Sequence, residues 1–187
     1  MRSDGVRVLT TFAVPTGLLD LRFFVRVGNS GPTGSIRQAV DVKPFVEERL
    51  SVLPPMLKLT LDGRIVAASD SQRGPGLEIP FRLGNDPFVP DSIRLETGRA
   101  SELCVFVWRA RERLEVTGQI VRQGEAARPL GIESVPRVVP DDDGFERYLL
   151  TVVPPEASAG DYTLRLTFRE PGTTRSASAE AAIRIED

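Results

Sequence analysis

From Gly160 to Arg169 the chain alternates without a slip: Tyr162, Leu164, Leu166 and Phe168 are apolar, and Thr163, Arg165, Thr167 and Arg169 between them are polar. Successive side chains of a strand point to opposite faces, so this pattern encodes a strand with one face on a core and the other in water. The same period recurs in Leu57-Leu59-Leu61, Leu114-Val116-Gly118-Ile120 and Tyr148-Leu150-Val152. Asp62-Gly63, Asn85-Asp86-Pro87, Asp143-Gly144 and Pro171-Gly172 supply turns between such runs. Most prolines also fall between runs, where a missing ladder donor does no harm. Helical periodicity is nearly absent; the best candidate, Val46 to Leu50, gives one or two turns. Many short strands with Pro and Gly punctuation predict an all-β, immunoglobulin-like antiparallel β-sandwich, because each half-apolar sheet must close on another.

Sliding the chain on itself exposes an internal repeat. At a shift of 143 residues, Gly17-Leu18-Leu19-Asp20-Leu21-Arg22-Phe23-Phe24-Val25-Arg26 falls on Gly160-Asp161-Tyr162-Thr163-Leu164-Arg165-Leu166-Thr167-Phe168-Arg169. The same shift, without a gap, carries Val40 and Val42 onto Ile183 and Ile185. Upstream, Ala13-Val14-Pro15 resembles Val152-Val153-Pro154, so three closing strands are expected twice. Residues 46–187 have length for a complete sandwich, whereas residues 1–45 are expected to be the last three strands of another, a partial sheet. Its middle strand carries Leu21, Phe23, Val25 and Val27 on one face, and a three-stranded sheet cannot bury such a face alone.

A second run, Leu103 to Trp108, is apolar on both sides: Cys104, Phe106 and Trp108 on one, Leu103, Val105 and Val107 on the other. One of those faces therefore needs a cover beyond the partner sheet. Two covers fit: the segment 1–45 docking through Phe23, or a long loop such as 68–91.

The composition removes most catalytic chemistries. Histidine is absent, Cys104 is the single cysteine, and Lys43 and Lys58 are the lysines, so Ser-His, Cys-His, histidine-metal and multi-cysteine zinc centres are excluded. Neither lysine lies in a Ser-x-x-Lys pattern. Cys104 reads as a buried structural thiol. With 24 basic and 26 acidic residues the formal net charge is −2, and the arginines are spread over nearly every strand, so no nucleic-acid partner is expected. The apolar runs are too short for membrane insertion. No cofactor is expected.

Asp141-Asp142-Asp143-Gly144 with Glu146 is the one acidic cluster, and oxygen-rich loops can hold calcium. Its spacing does not match the twelve-residue calcium loop, so Asp141, Asp143 and Glu146 are weak metal candidates beside a plain turn. Gly160-Asp161-Tyr162 has the form of a tyrosine corner, a structural clasp of sandwich domains. Leu19, at the equivalent place in the first copy, has no hydroxyl. Trp108, Tyr148 and Tyr162 read as inward or mid-strand, which favours packing over a sugar-binding platform.

Certain phrases resemble a known family. They are Val14-Pro15-Thr16-Gly17-Leu18-Leu19-Asp20-Leu21-Arg22 with Gly34-Ser35, Gly160-Asp161-Tyr162-Thr163-Leu164-Arg165 with Ser176-Ala177-Ser178, and the linker Val42-Lys43-Pro44-Phe45. They are similar to the C-terminal immunoglobulin-like region of bacterial von Willebrand factor type A-related (VWFA-related) proteins. The resemblance implies an extracytoplasmic interaction role. Relatives carry an export signal and an upstream type A domain with an Asp-x-Ser-x-Ser metal site. Residues 1–15 hold no such signal, and Asp70-Ser71-Gln72 lacks the second serine, so no metal or adhesion residue carries over.

The expected function is a non-catalytic structural or protein-interaction module, accessory to a cell-surface or secreted assembly. Its partner would be another protein or a second copy, met through exposed strand edges. A carbohydrate or small-ligand binding sandwich is the alternative and would need exposed aromatic rings. A carboxylate-based hydrolase is the remote one and would need two acids facing each other in a cleft.

Overall fold

A computed structural model describes residues 14–26, 28–44, 49–58, 81–90, 93–108, 113–136 and 144–186 of the chain. The alternating runs become strands: β1 (Gly17–Arg26), β2 (Thr33–Val42), β3 (Ser51–Val52), β4 (Leu57–Lys58), β5 (Arg82–Leu83), β6 (Asp86–Val89), β7 (Ile93–Glu96), β8 (Ser101–Trp108), β9 (Glu115–Val121), β10 (Arg128–Pro136), β11 (Phe145–Val153), β12 (Gly160–Arg169) and β13 (Ser176–Glu186). The described residues contain no helix, and none that could cross a membrane. Residues 46–48 of the helix candidate, Leu59 to Gly63, and Asp141 to Asp143 lie outside the described residues.

The described residues fall into two units, 14–44 and 49–186. In the larger unit the strands bond in the order β3-β8-β11-β10-β9-β12-β13-β7. This row is bent at β10, whose two ends serve different neighbours: Arg128 to Leu130 pair with β9, and Gly131 to Pro136 pair with β11. A strand that switches sheets makes a sandwich corner, and the two halves close on one core. That core takes Leu103, Val105, Val107, Tyr148 and Leu150 from one half and Leu164, Leu166, Phe168, Ile183 and Ile185 from the other. Tyr148 and Phe168 meet edge to face across it, with ring centroids 5.6 Å apart. Such a contact adds about 1 kcal/mol to the area that the rings bury. The all-β sandwich expected from the alternation is what the chain forms.

The corner has a steric condition. Gly118 on β9 stands directly between Leu130 of β10 and Leu166 of β12, and a Cβ there would lie 2.6 Å from Ile132 Cδ1. Any larger residue there would make Ile132 shift.

The second face of β8 is covered from within the same unit. Cys104 and Phe106 pack with Met56, Leu83 and Phe88, and with the partly buried Leu53, Phe81, Phe145 and Leu149. Met56 clamps β8 through two main-chain bonds, Met56 N to Cys104 O at 2.8 Å and Cys104 N to Met56 O at 2.9 Å. A small three-stranded sheet, β4-β6-β5, carries Leu83 and Phe88 into place. Of the two covers weighed from sequence, the long connection supplies Phe81, Leu83 and Phe88 to this one.

In the smaller unit β1 and β2 form a two-stranded antiparallel ribbon of ten residue pairs, Gly17 opposite Val42 through Arg26 opposite Thr33. Val14 and Pro15 are in no strand, and Ala13 and the residues before it, where the expected third strand would run, lie outside the described residues. Pro15 has no N–H to give to a ladder. Shifted by 143 positions, the ribbon's paired residues and register are those of β12 with β13, where Gly160 opposes Ile185 and Arg169 opposes Ser176.

Candidate functional site

The polar side chains that sequence singled out fall into separate places. Glu146 stands at the rim of the main core on β11, half-buried, and accepts a hydrogen bond from Tyr148 Oη at 3.2 Å. The same hydroxyl accepts the Leu114 N–H at 3.4 Å. Burial pushes the Glu146 carboxyl up from its usual range, the Tyr148 bond pulls it back, and the charge of Glu170 raises it further. Burial also lifts the Tyr148 phenol to about 12. Asp141 and Asp143, the other two weak metal candidates, lie outside the described residues. Among the described residues no three acidic or cysteine side chains gather as a metal site would require.

Glu170 is buried, and its carboxylate takes Arg175 Nη1 on both oxygens, at 2.6 and 2.9 Å. That pair closes the β12–β13 turn together with Glu170 N to Arg175 O and Thr173 Oγ1 to Glu170 O. The carboxylates of Glu146 and Glu170 feel each other, yet each is held by its own donor. Hydrolysis by a carboxylate pair needs both acids presented to a substrate.

Tyr162 donates to Ser158 O at 2.8 Å, four residues upstream, and Arg122 lies over its ring at 5.5 Å. Arg122 Nη1 also donates to Ser158 Oγ at 3.1 Å, and a Cβ on Gly160 would approach Arg122 Nη2 to 3.2 Å. Arg128 adds a bond to Glu156 O at 3.0 Å. These contacts fasten the β11–β12 connection.

Cys104 is fully buried, and burial pushes its thiol up to about 12 despite the nearby Arg147, which removes the thiolate needed for nucleophilic or metal chemistry. Sequence reasoning missed Arg147, which reads as a surface charge but is 2% exposed. Its Nε donates to Arg82 O at 2.6 Å, its Nη1 to Phe145 O at 3.1 Å, and its guanidinium lies 5.2 Å from the Phe106 ring. Alternation held the signal, because Arg147 shares its face of β11 with Phe145 and Leu149. Trp108 is half-buried and packs tilted against Phe145 at 5.0 Å, and Tyr148 and Tyr162 are buried.

What remains is the ribbon. Its odd positions Leu19, Leu21, Phe23 and Val25 share a face with Ile36 and Val40, and its even positions Leu18, Asp20, Arg22 and Phe24 share the other. Leu18 is 78% exposed, Phe24 73%, Val25 63% and Ile36 61%. Asp20 holds Arg37 Nε at 2.8 Å and Arg22 Nη2 at 3.3 Å. The large apolar side chains exposed in the described residues are nearly all on or beside this ribbon. An open depression on it is bounded by Leu18, Leu19, Asp20, Arg37 and Ala39.

No known family's sequence pattern matches this chain, and no curated protein sequence matches it. Among solved structures, a family 123 glycoside hydrolase from Clostridium perfringens is similar over 51% of this chain and 22% of its own length, at 7% identity and a TM-score of 0.36. The chain thus spans about a fifth of that enzyme. AvmM, which catalyses macrocyclization in alchivemycin A biosynthesis, is similar over 53% of this chain and 86% of its own, at 8% identity and a TM-score of 0.29. Likenesses of that size carry no argument about this chain's chemistry.

Proposed function

We propose that this protein is a non-catalytic structural or protein-interaction module that meets its partner through exposed strand edges. The observation that carries the reading is the β1–β2 ribbon, with free long edges among the described residues and apolar side chains exposed on both faces. Free edges present unpaired N–H and C=O groups, and an added strand satisfies them while side-chain pockets set its register. The larger unit is the scaffold in this reading, an immunoglobulin-like sandwich of the VWFA-related kind. The Tyr162 to Ser158 bond and the phrases shared with that family support the finer class. The matching paired residues and register of the two hairpins support their being copies of one repeat.

The test is strand addition. A labelled peptide copying residues 17–26 is titrated with the full chain, and fluorescence anisotropy is read together with amide hydrogen exchange. Saturable binding with slowed exchange in β1 or β2 is expected. No saturable binding, with no self-association at the highest soluble concentration, refutes the reading.

A further inference from the structure

One face of β1 is chemically symmetric about the strand's own middle. Leu18, Asp20, Arg22 and Phe24 follow one another on one side of the strand, with Leu21 at the centre. An antiparallel strand of the same sequence, laid so that Leu21 opposes Leu21, therefore sets Asp20 opposite Arg22 and Leu18 opposite Phe24, each twice. A two-fold placed instead at Asp20 or at Arg22 sets like charges directly opposite, which destabilises a strand pair.

We infer that two copies of this chain pair through the outer edges of their β1 strands in the register centred on Leu21, making a four-stranded sheet β2-β1-β1-β2. This rests on the reading of the edges as contact surfaces and names the occupant of one of them.

Three observations carry it besides the charge match. Among the described residues β1 bonds to β2 alone, and its ten-pair ladder has no bulge. Nor does Gly17–Arg26 contain the proline or lysine by which solvent-facing edges avoid pairing. The two most exposed large apolar side chains among the described residues, Leu18 and Phe24, become each other's cross-strand neighbours. They are also where β1 departs from β12: the residues 143 positions later are Asp161 and Thr167, polar as a water-facing sheet requires. Face-matched apolar additions at two symmetric positions fit a strand that is covered there. Pairing through β2 about Ala39 would set Arg37 opposite Asp41 but leave Leu18 and Phe24 in water.

Sedimentation velocity on the full chain from low to high micromolar tests the inference, with the Asp20→Arg and Arg22→Asp variants beside wild type. Wild type dimerises, and each variant, which now opposes like charges twice, dimerises about tenfold more weakly. An equal mixture of the two variants recovers the wild-type dimer, since each copy supplies the charge its partner lacks, and a misfolded ribbon could not do so. Leu21→Cys, placed on the two-fold, forms an intermolecular disulfide, while Ala39→Cys does not. A wild-type monomer throughout, single variants as tight as wild type, or a mixture no tighter than its components overturns the inference. If the chain dimerises but ignores these charges, with Ala39→Cys the variant that crosslinks, the β1 register falls and the edge reading stands. If it neither dimerises nor takes the strand peptide, both fall.

Discussion

Gly118→Ala tests the account of the sandwich corner. An added Cβ lies 2.6 Å from Ile132 Cδ1, 3.1 Å from Leu166 Cδ2 and 3.2 Å from Leu130 Cδ2. Carbon atoms settle at about 3.5–4.0 Å, so the Ile132 methyl must retreat by about 1 Å and both leucines by a few tenths. Leu166 is fully buried and Leu130 nearly so, which leaves the half-buried Ile132 to move. Two effects favour alanine: lower entropy of the unfolded chain, about 0.4–1 kcal/mol, and about 0.8 kcal/mol for one more buried methyl group. Overpacking opposes them by about 1–3 kcal/mol, and the buried Leu130 and Leu166, which have less room to give way than the Ile132 methyl, put this site in the upper half of that range. The net expectation is a loss of about 1 kcal/mol, read as a lower urea midpoint with an unchanged slope. A double-mutant cycle identifies the cause. Ile132→Val deletes the Cδ1 atom and alone costs about 1 kcal/mol, but in the Gly118→Ala background it relieves the clash, giving a coupling of about 1 kcal/mol. Additivity within about 0.4 kcal/mol, or a Gly118→Ala protein more stable than wild type, refutes the corner argument.

Other substitutions test neighbouring contacts. Tyr162→Phe removes the bond to Ser158 O and should cost about 1 kcal/mol, a fall of about 2–4 °C in Tm by calorimetry. Gly144 has φ +76°, and a Cβ there would lie 2.7 Å from Trp108 Cζ3; Gly144→Ala should cost about 1–3 kcal/mol and shift the emission of Trp108, the single tryptophan. Burial raises the Glu146 carboxyl, so its ionised form opposes folding: this penalty is present at neutral pH and fades as pH falls through the raised pKa. Glu146→Gln, which keeps an acceptor for Tyr148, should therefore raise Tm at neutral pH and lose that advantage in acid; an equal shift at every pH counts against it.

Strand period made much of the fold legible. The alternation of Tyr162 to Phe168 becomes β12, and the doubly apolar run from Leu103 to Trp108 becomes a strand buried on both sides. What covers that second face was harder to read. Met56, Leu83 and Phe88 come from strands of two to four residues or from an isolated bridge, too short to show any period. Partner choice was likewise hidden, because a strand's period says which side it buries and nothing about its neighbour. Hence neither β10's division between β9 and β11 nor the parallel pairing of β7 with β13 could be read. Among polar groups, Tyr162 announced itself by position, whereas Arg147 was masked by its charge and is reconciled with burial by backbone carbonyls that accept its N–H groups.

Two hairpins of one register thus have unequal support. In the second, β12 is bonded to β9 and β13 to β7, its apolar face lies in the main core, and Arg175 clasps Glu170 across the turn. In the first, the positions equivalent to that clasp are Val27 and Pro32, which cannot form an ion pair. Its own ion pairs, Asp20 with Arg22 and Arg37 and Asp41 with Lys43, are exposed and each contributes less than about 1 kcal/mol. A two-stranded ribbon on its own is marginal, so in the proposed dimer the order of β1 and β2 draws on the strand that joins the β1 edge. The two hairpins should therefore respond differently to protein concentration. As the chain passes from low to high micromolar, amide exchange in β1 and β2 should slow by the factor by which the dimer becomes populated, while exchange in β12 and β13 stays constant because its partners are intramolecular. Equal responses in both hairpins, or none in β1, would mean that the first ribbon is held by something other than a second strand at its edge.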